Sequence, residues 1–115
     1  PALRSGAWIE PAQVSWRDAA GAVASGAYFG DAAKPVLGWL LSTVDDDPIY
    51  VVYNRGTAAV QITLPPPPGT AWYRVADTGA WMEAEDNISA PGNEHRMAQA
   101  KYDLAARSLA VFVAR

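Results

Sequence analysis

From residue 36 onward the chain alternates short hydrophobic blocks with clusters of turn-forming residues. Val36-Leu37-Gly38-Trp39-Leu40-Leu41 is a compact apolar run, closed by Asp45-Asp46-Asp47-Pro48. Such a run between turn signals predicts a strand. Ile49 to Tyr53 is continuously apolar, the pattern of a central strand covered on both faces. Asn54-Arg55-Gly56-Thr57 follows, with residue types that accept positive φ in a tight connection. Beyond it Val60, Ile62 and Leu64 alternate with Ala59, Gln61 and Thr63, which puts one face of a strand in the core and the other in water. The pairing predicted for these two runs is an antiparallel hairpin.

Pro65 to Pro68 have no N–H to give to a sheet, so the strand ends there in an extended crossing. Ala71 to Asp77 resumes as a strand, with Trp72, Arg74 and Ala76 expected on one side and Tyr73 and Val75 on the other. Residues 82–101 are polar and turn-rich, too long for a hairpin link, and read as a meandering surface loop. Two closing strands follow, near Tyr102 to Ala106 and over Ser108 to Ala114, the second with Leu109, Val111 and Val113 on one face. The pattern predicts an all-β fold, an antiparallel β-sandwich of about six to eight short strands.

Residues 1–30 are less regular. Trp8-Ile9 and Val14-Ser15-Trp16 are apolar patches divided by Pro11, and Gly21, Gly26 and Gly30 interrupt the rest. The expectation is an irregular lead-in over 1–30 that packs on a sandwich spanning 31–115, a single domain overall. Ala19 to Ala24 has the composition of a helical turn that Gly21 weakens.

Composition narrows the function more than it names it. The 115 residues are half hydrophobic and 18% charged, outside the regime of disordered chains and enough for one modest core. A net charge of −3 with no run of Lys or Arg disfavours a nucleic-acid or membrane-surface role. No stretch has the length of an apolar membrane span. With no cysteine there is no disulfide or thiol chemistry, and the cellular compartment stays undecided. An opening at Pro1-Ala2-Leu3 without Met reads as a piece cut from a longer protein.

Candidate chemistry is thin. His95 is the only histidine, set between Glu94 and Arg96, and reads as a surface residue; it falls short of the three or four ligands of a zinc site. Asp45, Asp46 and Asp47 offer oxygen ligands of the kind calcium takes, but not at EF-hand spacing, and a solvated turn ahead of Pro48 accounts for them. Glu83, Glu85 and Asp86 lie on one polar loop without the apolar pocket that tunes a glycosidase acid. No catalytic, metal or cofactor residue is expected. The aromatics carry more: five Trp, five Tyr and two Phe. Pyranose rings stack on exposed Trp through their C–H faces, so Trp72 and Trp81 are the candidates for glycan contact. The core is the alternative for Trp72, and Trp39 and Tyr50 are expected there. Trp8 and Trp16 are candidates for an interface.

Taken in order, several of these segments resemble the C-terminal β-sandwich domain of isoamylase-type debranching enzymes, in the α-amylase superfamily (glycoside hydrolase family 13). Trp16 to Gly21 is similar to that family's Trp-x-x-x-x-Gly lead-in after the catalytic barrel, and Ala27-Tyr28-Phe29 follows it. Ile49 to Asn54 looks like its apolar strand closing on Asn, and Ile62-Thr63-Leu64-Pro65 like its Leu-Pro step. Trp72 to Thr78 resembles its Trp-x-x-x-x-Asp-Thr, and Arg107-Ser108-Leu109 its closing strand. The resemblance implies a domain without catalytic residues of its own, attached to a barrel that hydrolyses α-1,6 linkages in glycogen or amylopectin. It implies the barrel of the same polypeptide as partner, with Trp8 and Trp16 at that interface, and no cofactor. The alternative is an independent α-glucan-binding module working through exposed Trp and Tyr.

Overall fold

In a computed structural model, residues 14–29, 31, 33–42 and 47–115 are described. Trp8 and the first two residues of the Asp45–Asp47 cluster lie outside them. The described strands are β1 (Val14–Arg17), β2 (Val36–Leu41), β3 (Ile49–Asn54), β4 (Val60–Thr63), β5 (Trp72–Asp77), β6 (His95–Arg96), β7 (Lys101–Leu104) and β8 (Ser108–Ala114). All pair antiparallel, in a six-stranded sheet of order β1-β2-β3-β8-β5-β6 and a two-stranded sheet of β4 and β7. The all-β, antiparallel sandwich expectation stands. Among the described residues, helix is limited to a single turn, α1 (Gly26–Phe29), and a 3-10 helix at Ala80–Glu85.

The hairpin expected between β3 and β4 does not form. β3 sits between β2 and β8, while β4 crosses to the other sheet and pairs with β7. Neither Asn54 nor Gly56 takes a positive φ. Instead the fully buried Asn54 side chain makes the turn itself. Its Oδ1 accepts the Gly56 N–H at 2.9 Å, and its Nδ2 donates to the carbonyls of Ala58, Leu104 and Ala105 at 2.9, 3.3 and 3.2 Å. One amide thus turns the chain and fastens it to the end of β7 in the second sheet.

The four prolines end β4 as expected, and the chain returns to the first sheet through Thr70 and Ala71, whose N–H groups both donate to the Arg115 carbonyl. β1 makes residues 14–17 an edge strand of the main sheet, not a segment laid across it. The turn after it holds Gly21 at φ +78°, so close to the β4 backbone that a Cβ there would collide. The 82–101 stretch carries part of the 3-10 helix and β6.

The core lies between the sheets. Leu40, Tyr50, Val52, Trp72, Ala110, Phe112 and Ala114 of the large sheet meet Ile62, Leu64, Tyr102 and Leu104 of the small one. Tyr102 packs edge-on to Phe112 with ring centroids 5.2 Å apart, and Tyr50 lies against Trp72 at 5.8 Å. Gly38 exists for Tyr50: a Cβ on it would run into the Tyr50 hydroxyl. A second polar tie joins the sheets where β5 ends. The Tyr102 hydroxyl donates to Oδ2 of the fully buried Asp77, and the Gly79 N–H donates to its Oδ1 at 2.7 Å.

The register settles which side chains share a face. Leu40, Tyr50, Phe112 and Arg74 form one inward row across β2, β3, β8 and β5, with His95 beyond them on β6. Trp16, Trp39, Val51, Val111 and Ala76 form an outward row. Two expectations change here. Trp39 is half-buried on the outer face and stacks at a tilt on Trp16, 6.0 Å between centroids, rather than filling the core. Ala76 parts from Trp72 and Arg74 because a bulge at Val75 slips the register by one, which sends Asp77 inward.

Two outcomes follow for stability. The Tyr50 hydroxyl is buried with no hydrogen-bond partner, and burial pushes its pKa well above 10. Tyr50→Phe is expected to raise stability by about 1 kcal/mol, since an unpaired buried hydroxyl is a net cost. The raised pKa means that the folded state holds the proton more tightly, so stability is intact below pH 10 and declines as pH rises past it. Urea unfolding above pH 10 should therefore show a shallower decline in Tyr50→Phe than in the parent, by up to ~1.4 kcal/mol per pH unit. Asp77→Ala leaves the Tyr102 hydroxyl and the Gly79 N–H unpaired, and should lower the urea-derived stability by roughly 2–5 kcal/mol; a change within about 0.5 kcal/mol, the range of neutral surface substitutions, would remove the tie from the account.

Candidate functional site

The end of β5 is where the chain presents an aromatic ring on a rigid base. Once Asp77 turns inward, Thr78 keeps to β8: its N–H donates to the Leu109 carbonyl at 2.9 Å and its Oγ1 accepts the Leu109 N–H at 2.8 Å. Gly79 then opens the 3-10 helix Ala80–Glu85. Met82 is driven into the interior at 1% exposure and anchors that helix, which leaves Trp81 on its outer side at 54% exposure. Asp86 and Asn87 take the left-handed conformation at φ 58° and 62°. This lets the Asn87 amide donate back to the Asp77 and Gly79 carbonyls at 2.9 and 3.1 Å.

Trp81 is held from two directions. The Arg74 guanidinium carbon lies 4.7 Å from the indole centroid, a cation–π stack. At Gly79 a Cβ would approach the indole Cδ1 to 2.9 Å and Nε1 to 3.0 Å, so only glycine lets the ring settle there. With one face on Arg74 and more than half its area in solvent, the ring presents its other face outward. Chemically this is an apolar plate fixed in position, suited to stacking and without a group that takes or gives a proton in the neutral range.

Trp72 does not share this role. It is 4% exposed, its indole N–H donates to the Pro65 carbonyl at 2.7 Å, and its ring rests against Tyr50. A ring so enclosed has no free face for a sugar, because its position in the register points it at the core beside Ala114. A groove of about 530 Å³ between Pro65–Pro67 and Arg96–Ala100 reaches its edge. Of the two aromatics proposed for glycan contact from sequence, the geometry leaves Trp81.

The second candidate surface is the outer face of the large sheet. Val14, Leu37, Trp39, Ile49, Val51, Leu109, Val111 and Val113 are half-buried there, with Trp16 at 44% and Tyr53 at 39% exposure. Among the described strands, the small sheet covers the opposite face and none covers this one. Sequence reasoning assigned Trp16 to an interface but missed the row around it, Trp39–Val51–Val111. Its signal was present in the unbroken apolar runs of β2 and β3, where a half-wet strand would alternate.

The titratable candidates stay apart. His95, Glu83 and Asp86 are exposed, and Asp47 pairs with Arg115 at 3.6 Å. Among the described residues no group of three His, Asp or Glu side chains is placed to hold a metal ion.

Comparison with known proteins agrees with this geometry. The family model "Isoamylase, C-terminal" matches residues 13–113. The isoamylase of Pseudomonas amyloderamosa is 39% identical over 98 residues, covering 82% of this chain and 13% of that protein. The isoamylase of Flavobacterium sp is 37% identical over 110 residues, covering 90% of this chain and 14% of that protein. The chain thus spans about one seventh of the length of the relatives it matches. It belongs to the isoamylase C-terminal domain family.

Proposed function

We propose that this chain is the non-catalytic C-terminal domain of a debranching glycoside hydrolase that cleaves α-1,6-glucosidic branch linkages in glycogen or amylopectin, and that it stabilises the catalytic barrel of the same polypeptide by packing against it. The observation that carries this reading is the outer face of the six-stranded sheet, apolar from Trp16 and Trp39 through Val51 to Val111. A continuous apolar face of this kind marks an interaction site. The occupant favoured by the family is the remainder of the polypeptide, since the matched segment is only 13–14% of the related isoamylases.

The contact is an interdomain one, for which about 600–1,500 Å² of buried area is usual. Apolar area removed from water supplies the stabilisation at about 25 cal/mol per Å² before the entropy of docking is subtracted. Neither role needs chemistry from this domain. The reaction belongs to the barrel, and the solvent-exposed positions of Glu83, Asp86 and His95 support that division. The reading of the chain as an independent α-glucan-binding module rests on Trp81 alone, whose fixed and exposed ring favours sugar contact.

Removing residues 1–115 from the full-length polypeptide should lower the thermal midpoint of what remains by several degrees and reduce its solubility. Val111→Arg in the full-length polypeptide, at the centre of the outward row, should reproduce part of that loss by placing an unpaired charge in the contact. If the truncated polypeptide keeps both its thermal midpoint and its activity, packing is not the domain's role.

A further inference from the structure

The outer face and Trp81 lie on different sides of the sheet. Arg74 is the register partner of Phe112, so its side chain leaves the sheet on the inward side, opposite Val111 and Trp39. Trp81 stacks on Arg74 and belongs to that inward side, at the edge where the two-stranded sheet no longer covers it. The outer face can therefore be covered without covering Trp81.

Beyond the cation–π contact with Arg74, holding the ring there constrains its neighbours. Gly79 must lack a side chain for the indole to fit, and Arg74 is committed beneath the ring with its Nε buried and without a hydrogen-bond partner. Met82, the neighbour that anchors the segment, already fills the interior position. An aromatic ring with a fixed position loses little freedom when a flat ligand settles on it. His95, the register partner of Arg74 on β6, is exposed on the same face of the sheet and is the nearest polar candidate by register. Apolar plate and polar neighbour are the two elements that a pyranose ring requires, the first for its C–H face and the second for its hydroxyls.

We propose that Trp81, stacked on Arg74, is a glucosyl-binding platform that holds an outer chain of the branched α-glucan away from the active site of the barrel. The ligand class rests on the debranching function proposed above; the plate itself does not. One ring makes a weak contact, so its effect grows with the number of chains a polymer offers, through effective concentration. The domain tethers a large branched substrate that a short one is too small to span.

The test uses the full-length polypeptide with glycogen and with a short branched oligosaccharide. In Trp81→Ala the ratio of the KM for glycogen to the KM for the short substrate should rise roughly three- to tenfold, the size of one lost aromatic contact. Trp81→Phe, which keeps an aromatic face, should fall between Trp81→Ala and the parent. An unchanged ratio in Trp81→Ala overturns the platform, as does an equal loss on both substrates. If the parent polypeptide does not cleave α-1,6 linkages, the debranching reading fails by itself. Electrophoresis through a glycogen-containing gel then decides the platform separately: retardation that Trp81→Ala abolishes supports it, and migration independent of glycogen overturns it.

Discussion

A six-stranded sheet has two faces, and among the described residues only two further strands are there to cover them. That shortage governs the rest of the architecture. β8, in the middle of the sheet, sends Ser108, Ala110, Phe112 and Ala114 to the covered face and Leu109, Val111 and Val113 to the other. The bulkier aliphatic set thus points away from the domain's own core. β2 and β3 repeat the arrangement, with Trp39 and Val51 outward and Leu40, Tyr50 and Val52 inward. An antiparallel sheet with one wet face alternates apolar with polar; apolar residues on both faces belong to a sheet meant to be covered twice. The apolar outer face is written into the strands themselves, not added as a patch.

Covering one broad sheet with a narrow one also requires the chain to cross between them, at β3 to β4, β4 to β5, β6 to β7 and β7 to β8. Each crossing strips backbone groups of ladder partners at the rim of the core, where an unpaired group is expensive. The first is resolved by the Asn54 amide, which reaches both the turn and the end of β7. The second is resolved by the tetraproline, which has no backbone N–H to satisfy and whose first carbonyl takes the Trp72 indole N–H. The Asp77–Tyr102 contact pins β5 to β7 from the far side. Two of these three devices use residues, Asn54 and Asp77, that carry the family resemblance in the sequence. Their worth is to the fold.

What was legible in the sequence follows from what period-two alternation encodes. Alternation reports that a strand has two faces and which residues share one, and so the strands and the face of Ile62 and Leu64 were readable. It does not report which sheet a strand joins. Asn54-Arg55-Gly56 looked like a hairpin turn because its residue types accept positive φ, yet the Asn54 side chain replaced the backbone turn. Nor does alternation survive a bulge: one extra residue at Val75 carried Ala76 to one face and Asp77 to the other. The sides that Trp39 and Trp72 face were not readable for a related reason. Each lies in a run apolar on both faces, where hydrophobicity cannot say which side is inside.

The two surfaces that remain have opposite physical demands, and the register keeps them apart. A docking face needs area and tolerates shallow relief, which a pleated sheet of Val, Leu and Trp supplies. A stacking plate needs one ring whose orientation is fixed before the ligand arrives, and a strand cannot hold a side chain flat, because strand side chains stand roughly perpendicular to the sheet. The chain solves this by leaving β5 through the Asp77 turn and building a 3-10 helix on the buried Met82, so that Trp81 lies across Arg74 rather than standing beside it. The bulge at Val75 connects the two arrangements. It keeps Arg74 on the inward side for Trp81, brings Ala76 into the outward row with Val111, and turns Asp77 inward to Tyr102. Without that one-residue slip, Asp77 would point to the outer face and set a carboxylate among its apolar side chains.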